Sequence, residues 1–163
     1  VLSFEEAHRL WFYDEETGIF TWKTPPIATV KVGDRADHPW GVRARRVMSK
    51  GKKYFAHRVA WLMVHGEWPN APIDHIDCNA SNNALNNLRL CTPAQNSWNR
   101  AASANNKTSG RKGVCYDRFS NRWAAYMNAH GKRVLKRSFK TREEAEAAHA
   151  EAARKHHGQF ARF

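Results

Sequence analysis

The alternation of hydrophobic and polar positions in the first half of the chain predicts short strands, broken by one amphipathic helix. Phe12-Tyr13-Asp14-Glu15-Glu16-Thr17-Gly18-Ile19-Phe20-Thr21-Trp22 reads as a hairpin: β-rich residues flank Thr17-Gly18, and the glycine can take positive φ. Pro25-Pro26 ends regular structure, and residues 30–40, with Gly33, Pro39 and mixed charges, read as a loop. Val42-Arg43-Ala44-Arg45 alternates as a half-buried strand does, so residues 41–48 are expected to pair with residues 54–56 across Lys50-Gly51. Over residues 57–66 the period changes. Val59, Leu62 and Met63 fall on one helical stripe, and Gly66 closes the helix. Residues 88–90 form another short strand, after which Thr92 and Pro93 supply the N-cap and first position of a helix.

The second half repeats a simpler pattern. Strands are expected at residues 113–117, 122–128 and 133–139, with turns at 118–121 and at His130-Gly131. Thr141 and Glu144 make a capping box for a final helix, whose Ala145, Ala148 and Ala152 offer a smooth face to the sheet. Val114, Trp123, Tyr126, Leu135 and Phe139 are the candidates to meet it. Residues 100–110, rich in Ala, Ser and Asn, serve as connector, and we place the boundary between domains 1–105 and 106–163. The fold class is α+β.

Composition narrows the partner. The 163 residues suffice for one ordinary domain or two small ones, and 27 Lys and Arg against 15 Asp and Glu leave a charge of +12. Such an excess suits a polyanion. An anionic membrane is the rival, but no long helix with a bulky apolar face is evident. Cys78, Cys91 and Cys115 are odd in number and widely spaced, which reads as reduced thiols in an intracellular protein. No secretory segment is read from the sequence.

The densest chemistry lies in residues 73–100, IDHIDCNASNNALNNLRLCTPAQNSWNR. So many amides make poor core material, because each needs partners when buried. They suit a hydrogen-bonded loop that aims an imidazole. A neutral imidazole accepts a proton from water near neutral pH. Adjacent Asp74 and His75 on a strand point to opposite sides, so one can address a cation while the other addresses water. Asn82, Asn83 and Asn86 read as turn and cap residues, and Asp77 as loop support. His57 and His65 read as packing residues.

The order DH, then NNLR, then TPxQN resembles the HNH (ββα-metal) nuclease motif, and the upstream HRxAW…HGxWP accompanies that group. The resemblance implies that His75 is the general base and that Asn87 fixes the loop and holds the His ring. It makes Asp74 and Asn96 the protein ligands of one Mg²⁺ or Mn²⁺ ion. Asn86 offers an alternative register to Asn87; Asn99, Asp77, His57 and Arg58 are reserve site residues. From residue 109 onward, the strand pattern and the EEAxxAxxxAAxxxHGxFA helix resemble the AP2 DNA-binding domain, a small three-stranded antiparallel sheet packed on one helix. Together they imply a phage or mobile-intron endonuclease, acting in the host cell on double-stranded DNA. A monomer would nick first, and a double-strand break would need a dimer or sequential cuts. DNA contacts are expected from Arg43, Arg45, Arg46, Lys52, Lys53 and Arg89, and from Arg111, Lys112, Arg118, Arg122, Arg133, Lys136 and Arg137. The alternatives are a catalytically inactive HNH/AP2 DNA-binding regulator and, in a third class, a binder of structured RNA.

Overall fold

The computed structural model describes residues 1–41, 44–100, 102 and 109–162, and the chain divides into two compact units, Val1–Thr92 and Pro93–Phe163. The boundary drawn at 105/106 lies outside the described residues. Both units mix helices with antiparallel strands.

The first unit opens with helix α1 (Phe4–Leu10), which the strand patterning did not reveal. Ser3 caps it by accepting from the Glu6 N–H at 3.2 Å. Strands β1 (Trp11–Tyr13) and β2 (Phe20–Trp22) form the expected hairpin, with Tyr13 opposite Phe20. In β1 the pleat sends Trp11 and Tyr13 inward and leaves Phe12 exposed. Next come β3 (His38–Trp40), β4 (Ala44–Ser49) and β5 (Lys52–Phe55), a three-stranded sheet in that order. Residues 38–40, part of the expected loop at 30–40, form an edge strand. The edge position explains the difference, since proline's missing N–H costs nothing where no neighbour needs it.

Helix α2 (Ala56–His65) follows and buries the expected Val59, Leu62 and Met63 together with Ala56 and Ala60. Gly66 ends it at φ 78°, its N–H donating to the Leu62 carbonyl. Their partners in the core include Trp11, Phe20, Val47, Ile73 and Leu88. The last pair, β6 (Ile73–His75) and β7 (Leu88–Leu90), is antiparallel and sets Asp74 opposite Arg89 and His75 opposite Leu88.

The second unit begins with α3 (Pro93–Asn99), which starts where Thr92-Pro93 predicts. Strands β8 (Val114–Asp117), β9 (Arg122–Ala129) and β10 (Lys132–Phe139) form one antiparallel sheet with β9 central, covered by α4 (Arg142–His157). The Thr141–Glu144 capping box is present. Val114, Ala125 and Ala145 centre the core, with Trp123, Leu135 and Phe139 against them. Tyr126 turns the other way and is exposed, because alternation along β9 gives it to the free face.

The helix buries the row Ala145, His149, Ala153, His157 rather than Ala145, Ala148, Ala152. Both histidines are therefore interior. Gly113 makes the room: a Cβ there would lie 2.4 Å from His149 Nε2. Burial foremost lowers the pKa of both imidazoles. Trp98 of α3 stacks on His157, with centroids 4.4 Å apart and planes 10° apart, while His130 meets it edge-on. Lys112 Nζ donates to the Ser97 and Trp98 carbonyls at 2.9 and 3.0 Å, satisfying acceptors that a helix end leaves open.

Candidate active site

Asp74 and His75 are both buried on β6 and engage different partners. Across the ladder, Arg89 holds Asp74 Oδ2 through two nitrogens, Nη2 at 2.8 Å and Nε at 2.9 Å. His75 turns to the loop, where Nε2 lies 3.2 Å from Asn83 Oδ1. With that oxygen as acceptor, Nε2 carries the hydrogen and the second ring nitrogen is the basic one. Asn83 was expected to be a turn residue; it is fully buried instead and touches the imidazole directly. One asparagine among seven in this stretch gives no local signal of that contact, which depends on a distant hairpin.

That hairpin braces the loop at three points. Tyr13 Oη donates to the Asn83 carbonyl at 2.7 Å, and the Leu85 N–H donates to the Glu15 carbonyl at 2.8 Å. Gly18, at φ 70°, presses its α-carbon face on the Asn83–Ala84 peptide. Asn87 pins the loop from inside: Oδ1 accepts from the Asp77 N–H, while Nδ2 donates to Asp77 Oδ1 and to the Asn82 carbonyl. Asn87 is buried and neighbouring Asn86 exposed. Asp77 also takes the Asn79 N–H and Asn82 Nδ2. Burial raises its pKa, but these hydrogen bonds outweigh it and leave the carboxyl below its ordinary range.

His57, at the start of α2, meets the His75 ring edge-to-face at 5.2 Å. Burial first, then the charges of His75 and Arg58, push its pKa from 6.5 to about 4, so it is neutral at physiological pH. Because the unfolded chain takes up this proton between pH 6.5 and about 4 and the folded chain does not, stability is full above 6.5 and declines across that window. The expected loss is on the order of 3 kcal/mol by pH 4. Denaturant melts of the wild type and His57→Leu against pH check it; an equal slope in both would remove His57 as the cause.

The cationic residues divide by what they touch. Arg45 belongs to buried Asp37, which Arg35 and the Phe20 N–H also bind; burial raises the Asp37 pKa, and these partners together bring it below normal. Arg58 donates to the Pro69 carbonyl at 3.3 Å. Arg89 is on Asp74 and Lys112 on α3, as above. Lys52 and Lys53 are exposed on β5, and Arg43 lies outside the described residues. In the second unit, the free sheet face carries Lys136 opposite Tyr126, and Arg133, whose Nε donates to Asn128 Oδ1 at 2.6 Å. Arg137 extends over Phe139, on the α4 side. Arg111 lies 3.8 Å from Glu146, and Arg118 and Arg122 are exposed. On α3, Asn96 is exposed and Asn99 buried.

Residues 54–98, which contain β6, the Asn loop and β7, match the family model for HNH endonucleases. Protein 3.8 of Escherichia phage T7 is 40% identical over 110 residues, 66% of this chain and 88% of that protein. The chain contains an HNH-endonuclease-like domain. A further relative, the uncharacterized HNH endonuclease L560 of Acanthamoeba polyphaga mimivirus, is 43% identical over 58 residues, 35% of this chain and 31% of that one. No solved structure matches the chain significantly.

HNH proteins generally use a divalent ion. Among the described residues no three His, Cys, Asp or Glu side chains come together as a preformed cage. Asp74 presents a buried carboxylate on β6, and carboxylate oxygens are donors of the kind that Mg²⁺ and Mn²⁺ take. No described helix is long and apolar enough to cross a membrane.

Proposed function

We propose that this HNH protein is a metal-dependent DNA endonuclease that nicks one strand at a time, of a phage or mobile-intron type. The observation that carries the reading is the His75 imidazole, buried on β6 with one nitrogen engaged by Asn83, in a chain whose residues 54–98 match the family. His75 takes the proton of the attacking water at its basic nitrogen, Asn83 keeps the ring from rotating, and Asn87 keeps the loop that carries Asn83 closed. Asp74 and Asn96 would hold one Mg²⁺ or Mn²⁺ ion per site, and that ion would supply charge stabilisation of the phosphoryl group and the leaving oxygen.

The C-terminal unit serves as an AP2-like reader of double-stranded DNA, in a domain division at 105/106. Its free sheet face, with Tyr126, Asn128, Arg133 and Lys136, supports that assignment, since a sheet of this size enters a major groove and its cations meet phosphate or guanine. The protein works as a monomer inside the host cell. A second reading, an inactive DNA-binding regulator, is favoured by the Arg89 fork on Asp74, which already neutralises the carboxylate.

Supercoiled plasmid incubated with the full chain separates the two. Open circles that accumulate before linear DNA with Mg²⁺ or Mn²⁺, and vanish with EDTA, support the endonuclease. Retained binding with no nick under either ion supports the regulator. Asn83→Ala, assayed where its near-UV circular dichroism matches the wild type, is expected to nick ~10²-fold more slowly and with a displaced pH–rate profile. An unchanged profile would leave Asn83 a mere structural residue.

A further inference from the structure

We propose that Arg46 is a fixed binding site for one phosphate of the DNA strand beside the scissile bond, kept in register with His75 by a column of stacked planar groups. The proposal rests on the endonuclease reading and adds a subsite to it. The Arg46 guanidinium carbon lies 3.5 Å from the Trp40 ring centroid and 4.4 Å from that of Phe55, between two aromatic faces. Among the described residues it makes no hydrogen bond or ion pair, and its buried Nε has no partner. Arg35, Arg45 and Arg89 behave differently, since each is spent on a carboxylate.

A partly dehydrated cation without a counter-ion is costly unless an anion arrives. The surroundings specify which kind. Strands β3, β4 and β5 contain no acidic residue, and exposed Lys52 and Lys53 lie on β5, with Lys53 Nζ 5.2 Å over Trp40. Trp40 and Phe55 are 45% and 37% exposed, so the sandwich opens at the surface. A planar guanidinium held between rings presents its fork in one direction, which matches a phosphate better than a mobile ammonium would.

The column then continues inward. Phe55 stacks on His57 at 5.5 Å and 25°, and His57 meets His75 at 5.2 Å. An anion on Arg46 is therefore at most about six nucleotides from the general base, at ~3.4 Å of rise per nucleotide. Trp40 and Phe55 act as positioning residues, and a backbone polyanion gripped at that distance would set which phosphate reaches His75.

Binding measured in EDTA tests this apart from cutting. The full chain, Arg46→Ala, Arg46→Lys and Trp40→Ala are titrated with salt on a fluorescein-labelled DNA duplex and on an RNA duplex of the same sequence. In Arg46→Ala the slope of log K against log salt is expected to fall by about 0.9, the share of one phosphate. Arg46→Lys, which keeps the charge but not the stack, retains the slope and loses affinity, and Trp40→Ala behaves alike. Nicks mapped at nucleotide resolution spread to neighbouring positions in Arg46→Ala. An unchanged slope in folded Arg46→Ala overturns the proposal, as does an effect confined to the RNA duplex. A wild type that never nicks, with the slope still lowered in Arg46→Ala, sinks the endonuclease reading and leaves the phosphate site standing.

Discussion

Replacing His75 by alanine is expected to slow metal-dependent nicking by ~10²–10⁴-fold, while binding of the same DNA in EDTA is unchanged. The imidazole is buried on β6 and takes its orientation from Asn83 at 3.2 Å. Its close neighbour, His57, is neutral with a pKa of about 4 and is a much weaker base, so it cannot take over the proton. Plasmid nicking under single-turnover conditions reads the loss directly, and gel shift reads the binding. Wild-type rates in His75→Ala would remove the assigned base. Loss of binding together with cutting would instead make His75 a scaffold residue.

Gly18→Ala should have the largest effect on folding. A Cβ at this position would sit 2.2 Å from both the Ala84 nitrogen and the Asn83 carbonyl carbon. Those atoms are backbone, so no rotamer change relieves the clash. The residue is also at φ 70°, where any L side chain is strained. Either the hairpin tip or the Asn loop must move, at a cost of about 3 kcal/mol or more. For a unit of this size the melting temperature should fall by roughly 10–20 °C. Because the displaced peptide is the one that sets Asn83 against His75, nicking by the surviving folded protein falls as well. A melt within about 2 °C of the wild type would falsify the brace, because it would mean less than ~1 kcal/mol was lost.

Much of the architecture is written in local patterns. The β1–β2 hairpin, the α2 stripe closed by Gly66, and the strand–strand–strand–helix order of the second unit follow from periodicity and turn residues alone. Helix α1 is equally legible in Ser3 and Glu6, a serine three residues before a glutamate. Strand β3 was hidden because Pro39 argues against a strand until its edge position is known. Long-range choices were not legible. Nothing near Arg45 says that it will join Asp37 while Arg46, one residue on, is left between two rings. Nor does an asparagine-rich loop say which amide will face the imidazole, since Tyr13 and Gly18, on a hairpin far away in sequence, decide that. The buried histidines of α4 show the same limit: Gly113, on another element, makes space for a ring where helix composition suggested alanine.

Helix α3 is seven residues long, too short to persist in water unsupported. Its Trp98 is clasped by His157, and its terminal carbonyls by Lys112. A fragment ending at residue 105 would therefore keep every letter of the nuclease signature and yet leave Asn96 on a segment deprived of its support. What is contiguous as text is divided as architecture, so trimming the carboxyl end should cost the protein more than its grip on DNA.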